Sequence, residues 1–171
     1  MLLTIWSSPW FRVPLVLLAA IALQTTVIAP VRIFGAAADI VVLVAIVGGL
    51  VGGSQMGSVI GFSTGILYDL TLDTPFGLWA LTLSCTGYVV GFARRESLRD
   101  NFSLQASIVA LASVAAVVFY AIVGTIFGAQ GFITFRLLAI IAMVTAVNVA
   151  LYRPTRRIMR WALQIEEGVK G

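Results

Sequence analysis

Asp39, Asp69 and Asp73 are the residues whose type and spacing could do chemistry. Asp39 and Asp69 fall symmetrically about residue 54, and Asp73 follows Asp69 by four residues. Carboxylates at the edges of apolar runs can relay protons, hold a cation or act as an acid/base pair. An Asp69/Asp73 metal or acid/base pair lacks a third ligand and a recognisable pocket, and Asp73-Thr74-Pro75 reads as a turn before a helix start. The chain contains no histidine, which removes the imidazole base, the Ser-His and Cys-His nucleophile pairs and the usual zinc and haem ligands. Its one cysteine, Cys85, lies in an apolar run and reads as a small hydrophobe. The expectation is a protein that is not an enzyme and takes no cofactor or metal.

The two spaced aspartates differ in what they need. Asp39 directly precedes the apolar run 40–53 and can cap a helix N-terminus, where the helix dipole favours an anion. Asp69 comes at the C-terminal end of its run, where the dipole opposes it, so a cation, hydrogen-bond donors, water or a proton must accompany it. Arg136, at the start of the last run, is the expected cation, ahead of Arg32 in a loop. Asp69 is therefore the stronger functional candidate.

The elements that must position these groups are membrane helices. Of 171 residues 60% are hydrophobic and only 11% charged, and mean hydropathy is +1.05, a surface that water does not support. Apolar runs at 13–29, 40–53, 57–70, 76–93, 104–127 and 135–152 predict six transmembrane helices in one all-α bundle over residues 1–152, followed by a basic tail over 153–171. The first run follows Arg12 and has no clear cleavage site after it, so it reads as a retained helix rather than a secretory signal.

Orientation follows from the basic residues. With six spans and the N-terminus inside, the cytoplasmic segments carry Arg12, Arg94, Arg95, Arg99, Arg153, Arg156, Arg157, Arg160 and Lys170, and the outer ones only Arg32 and Arg136. Both termini are thus expected in the cytoplasm. Trp6, Trp10, Trp79, Tyr152 and Trp161 fall near helix ends, as interfacial belts do. The net charge of +4 sits beside hydrophobic runs, which points to anionic lipid of the inner leaflet and away from nucleic acid.

Two further patterns stand out. Gly49, Gly53, Gly57, Gly61 and Gly65 recur every fourth residue, with Gly48 and Gly52 beside them. In lipid such spacing lets helix backbones approach closely, and packing inside the protein's own bundle is favoured over a partner's helix. In the tail, Arg153, Arg156, Arg157 and Arg160 share one helical face, while Ile158, Trp161, Ala162 and Ile165 share the other, with Pro154 in a first turn. A helix lying flat on the inner leaflet and anchoring the sixth span is expected. Residues 2–11, with Trp6 and Trp10, read as a second interfacial segment.

The aspartate opening helix two, Gly57, Gly61 and Gly65, the string Gly65-Ile66-Leu67-Tyr68-Asp69-Leu70, the turn Thr74-Pro75-Phe76-Gly77, and Gly87-Tyr88 with Gly91 together resemble the bacterial rod shape-determining MreD family. The motif-bearing part covers about a third of the chain. The turn Ser54-Gln55-Met56-Gly57 lacks the arginine that many members carry there. The resemblance implies a non-enzymatic scaffold of the peptidoglycan elongation machinery in the cytoplasmic membrane. It would bind MreC and, through it, MreB, RodA and a class B penicillin-binding protein. It also implies a fold similar to the S components of energy-coupling-factor vitamin transporters. That offers a rival function, in which the aspartates and the Asp73 loop close over a small nutrient. A third reading, a proton- or ion-coupled transporter using Asp39 and Asp69, is opposed by the few polar residues in the other spans.

Overall fold

The computed structural model describes residues 9–28, 30, 32–33, 36–72, 74–93, 101–128 and 135–164. Six α-helices form where the apolar runs predict them: α1 Pro9–Leu23, α2 Ile40–Gly52, α3 Ser54–Asp69, α4 Leu78–Phe92, α5 Phe102–Ile126 and α6 Phe135–Leu163. A π-helical turn, Gln24–Ile28, extends α1, and Arg32–Ile33 pairs antiparallel with Ala36–Ala37 ahead of α2.

Three stretches are long and apolar enough to cross a membrane: Phe11–Ile28, Phe102–Ile126 and Leu137–Leu163. The other three helices are short, with 13 residues in α2, 16 in α3 and 15 in α4. At about 1.5 Å per residue they rise about 20 to 24 Å, against hydrocarbon about 30 Å thick. The six expected helices are thus all present, three of them long enough by themselves to cross the hydrocarbon. Two of the short helices meet at a turn without spare residues: Gly53, at φ +86°, ends α2 and begins α3.

The helix ends meet in two layers. At one, Gln24 hydrogen-bonds to residues 38 and 40, and Asp69 to residues 77, 79 and 80. At the other, Arg12 reaches the Trp161 carbonyl and Tyr152 reaches Gln105. Successive helices therefore run in alternating directions. The positively charged segments identify the second layer with the side expected to be cytoplasmic.

At the centre lies α2, with residues Ile40 to Gly49 and Val51 all buried. It packs against α3, α4, α5 and α6. This explains its unbroken run of Val, Ile, Leu and Ala: a helix enclosed all round needs no polar face. The outward sides of α3 and α4 carry exposed Met56, Val59, Phe62, Leu81, Tyr88, Val89 and Phe92, as lipid contact requires.

Between spans, buried polar pairs tie α5 to α6: Tyr152 Oη donates to Gln105 Oε1 at 2.7 Å, and Asn148 Nδ2 to Ser113 Oγ at 3.0 Å. Away from water such bonds hold one arrangement of the helices.

A new helix was expected to start at Arg153. Instead α6 continues through Pro154 to Leu163. Proline lacks an amide hydrogen and its ring presses on the preceding turn, so it permits a bend without ending the helix. Beyond it, α6 meets the start of α1 and the α2–α3 turn, with Met159 and Ala162 fully buried.

Candidate functional site

Asp69 is the last residue of α3 and only 3% exposed. Its Oδ2 accepts the amides of Gly77 at 3.0 Å and Ala80 at 3.1 Å, and its Oδ1 accepts that of Trp79 at 3.2 Å. Gly77, the residue before α4, is left-handed at φ +92° and has no side chain to cap with. Asp69 supplies the missing cap across the turn, and the positive end of the α4 dipole offsets the unfavourable end of its own helix. Of the companions expected for this carboxylate, the described residues supply hydrogen-bond donors. The side chain of Arg136 lies outside the described residues, as does all of Asp73. Pro75 is exposed within the turn that brings Gly77 back to Asp69, and its carbonyl accepts the Leu78 amide.

Asp39 caps α2 through Oδ1, which accepts the Val41 amide at 3.0 Å. Beside it Gln24, only 2% exposed in the π-helical turn, makes three contacts. Its Oε1 accepts the Ile40 amide at 3.0 Å, and its Nε2 donates to the Ala38 carbonyl at 3.0 Å and to Tyr68 Oη at 3.4 Å. One amide side chain thus joins α1, α2 and α3. Tyr68 tilts against Trp79 with centroids 5.3 Å apart, and Trp79 stacks on Tyr120 of α5 at 4.2 Å. Sequence reasoning missed Gln24, Tyr68 and Tyr120 as members of this layer, and it read Trp79 as an interfacial belt residue. A lone glutamine interrupting an apolar run was the available signal.

Below this layer, Gly57, Gly61 and Gly65 lie against α4. A Cβ added at Gly61 would fall 2.5 Å from the Leu83 carbonyl carbon, one at Gly65 2.5 Å from the Ala80 nitrogen, and one at Gly57 2.9 Å from the Gly87 carbonyl carbon. Gly87 and Gly91 of α4 are equally tight against Gly57 and Ser54. Ser58 and Ser84 share a 2.8 Å hydrogen bond across the same seam. The glycine face is a seam within this chain.

The basic segment is three-sided. Tyr152, Met159 and Ala162 face the protein, while Arg153 and Arg157 are exposed and Arg156 and Arg160 half-buried. Ile158 and Trp161, at 49% and 52% exposure, form a third side. Ala162, expected to face lipid, turns inward, because α6 uses that side to pack on the bundle. Ile165, Lys170, Trp6 and the loop arginines Arg94, Arg95 and Arg99 lie outside the described residues. The Arg153 guanidinium sits 3.9 Å over Phe102, and that of Arg12 4.6 Å over Trp161.

Chemically, the arrangement fixes helix ends. Both carboxylates among the described residues accept backbone amides, and no group of three or more potential metal ligands occurs among those residues.

The family model for rod shape-determining protein MreD matches residues 5–162, from before α1 to one residue short of the end of α6. The chain belongs to the MreD family. It is accordingly a membrane protein of the machinery that determines rod shape, in a family not known for enzymes. Neither curated proteins nor solved structures yield a match, so the likeness to S components of energy-coupling-factor transporters gains no support from them.

Proposed function

We propose that this MreD-family chain is a non-enzymatic scaffold of the elongation machinery, held in the bacterial cytoplasmic membrane with both termini inside. There it binds MreC and, through it, MreB, RodA and a class B penicillin-binding protein. The family match carries the rod-shape assignment. One structural observation supports a scaffold: Asp39 and Asp69 both accept backbone amides at the starts of α2 and α4, so each has a structural role that needs no transported ligand. The orientation draws on the nine basic residues assigned to one side against two on the other, and on six alternating helices, an even number that returns the chain to its starting side.

The test is depletion of this chain in its own rod-shaped host, combined with purification of the tagged protein in mild detergent. Rounded cells and co-purification of MreC are expected. Retention of a vitamin at submicromolar affinity, with cell shape intact after depletion, would replace this reading with the S-component one.

A further inference from the structure

We propose that the α3–α4 face thins the bilayer beside it: the lipids along this face, unlike those along the rest of the bundle, are drawn inward by several ångströms, and the face gathers short acyl chains. The inference needs only that the chain crosses a membrane. It stands apart from MreC binding and from the orientation of the termini.

The short helices do not all meet lipid. Although α2 is the shortest, it is buried along nearly its whole length by the helices packed around it. On the other sides, α1 with its π-helical turn, α5 and α6 supply the three stretches long enough to cross. That leaves α3 and α4, which lie side by side and expose residues such as Val59 and Phe62 on one and Leu81 and Val89 on the other. Lipid therefore meets short helices along one contiguous face. On α3 the exposed apolar residues run from Met56 to Leu70, just past its end, and exposed polar Gln55 and Thr71 close the band on either side. At 1.5 Å per residue this band rises about 21 Å, about 9 Å less than the hydrocarbon.

The protein has no means of lengthening that face. Tilting shortens a helix in projection, so a long helix can adapt to a thin layer but a short one cannot adapt to a thick one. Sliding is blocked by the seam, where Gly61 and Gly65 hold the backbones in contact and Ser58 and Ser84 share a hydrogen bond across it. The hairpin is also tied at both ends, by the Gly53 turn into α2 and by the amides of residues 77, 79 and 80 on Asp69. Extending it would break these bonds, whereas drawing lipid inward costs little per ångström. The bilayer is the softer partner.

Cys85, the chain's one cysteine, is exposed midway along α4 and places a probe at the centre of the face. The experiment uses the full chain labelled there with bimane and reconstituted in fluid phosphatidylcholine bilayers. These contain, at equal mole fraction, phosphatidylcholine with a nitroxide at the same carbon of either a shorter myristoyl or a longer stearoyl chain. Nitroxide quenches the label on contact. The control probe is Leu111→Cys in a Cys85→Ser background, on the 25-residue α5, where the native leucine is 71% exposed. The shorter chain is expected to quench the Cys85 probe as though enriched about threefold over the longer one, and to show no such enrichment at residue 111. Equal quenching by the two chains at Cys85 overturns the proposal. So does the same preference at residue 111, which would spread the effect around the bundle. Absence of quenching at Cys85 by either chain overturns it too, since protein, a second copy of this chain, would then cover the face. None of these outcomes bears on MreC binding, so the scaffold reading stands or falls separately.

Discussion

Asp69 and Gly77 face each other across the α3–α4 turn, with the carboxylate of one accepting the backbone amide of the other at 3.0 Å. Each supplies what the other's position lacks. Gly77 takes the left-handed conformation that lets the chain double back, at the cost of having no side chain to cap α4. Asp69 gains amide donors that its own helix end cannot offer.

Asp69→Ala should lower stability by about 2 kcal/mol or more, because three amides in a partly or wholly buried setting lose their acceptor. Asp69→Asn keeps one acceptor oxygen and should cost about half as much. Arg136→Ala should cost less than Asp69→Ala, since the donors described around Asp69 are all backbone. Thermal unfolding in nonionic detergent ranks the three. A larger loss for Arg136→Ala would show that the guanidinium is the main support of the carboxylate.

Gly61→Ala should destabilise by about 1 to 3 kcal/mol, and Gly61→Leu should cost still more or prevent folding. The Leu83 carbonyl carbon stands 2.5 Å from where the new atom must go, and a backbone cannot swing aside as a side chain can. Gly77→Ala is the contrast. Nothing lies within 4 Å of its added Cβ, so its cost of about 1 kcal/mol comes from φ alone. The ratio of melting shifts for Gly61→Ala and Gly77→Ala separates a packing glycine from a conformational one.

Gln24→Ala should cost about 1 to 3 kcal/mol through loss of the Ile40, Ala38 and Tyr68 contacts. Gln24→Glu should not rescue it. A carboxylate still accepts from Ile40 but cannot donate to the Ala38 carbonyl, and it adds a like charge beside Asp39. Rescue by glutamate would mean that only the Ile40 contact matters.

Topology is checked with single cysteines in a Cys85→Ser background and a membrane-impermeant maleimide applied to intact cells. Cysteine at residue 73 should label from outside, and Gly168→Cys should label only after the membrane is opened. Labelling of residue 168 in intact cells would reverse the orientation.

Helix number, the Asp39 cap and the glycine seam were legible in the sequence because each is local: an apolar run, one residue before it, one four-residue repeat. The donor set of Asp69 was not. The sequence showed that the carboxylate needs company, but the amides of residues 77 to 80 become available only when α4 folds back on α3. Gln24 was hidden for a similar reason, since its partners lie 14 to 44 residues away. The continuity of α6 was missed because proline after an arginine resembles a helix start as closely as a bend. The lengths of α2, α3 and α4 were readable, but their shortfall against a bilayer matters only once it is seen which of them lipid touches.

The complete enclosure of α2 bears on how the protein is made. A ribosome delivers α2 early, before the helices α3 to α6 that will surround it. During synthesis its apolar surface must therefore rest against lipid or an insertion factor. With only 13 residues and Gly53 at its end, α2 is best delivered together with α3 as a hairpin. Because α6 is also among its neighbours, the central helix reaches its final surroundings only after the last span has left the ribosome. A chain truncated before Phe135 would thus leave an early segment exposed, and membrane quality-control proteases would meet it as an unfinished product.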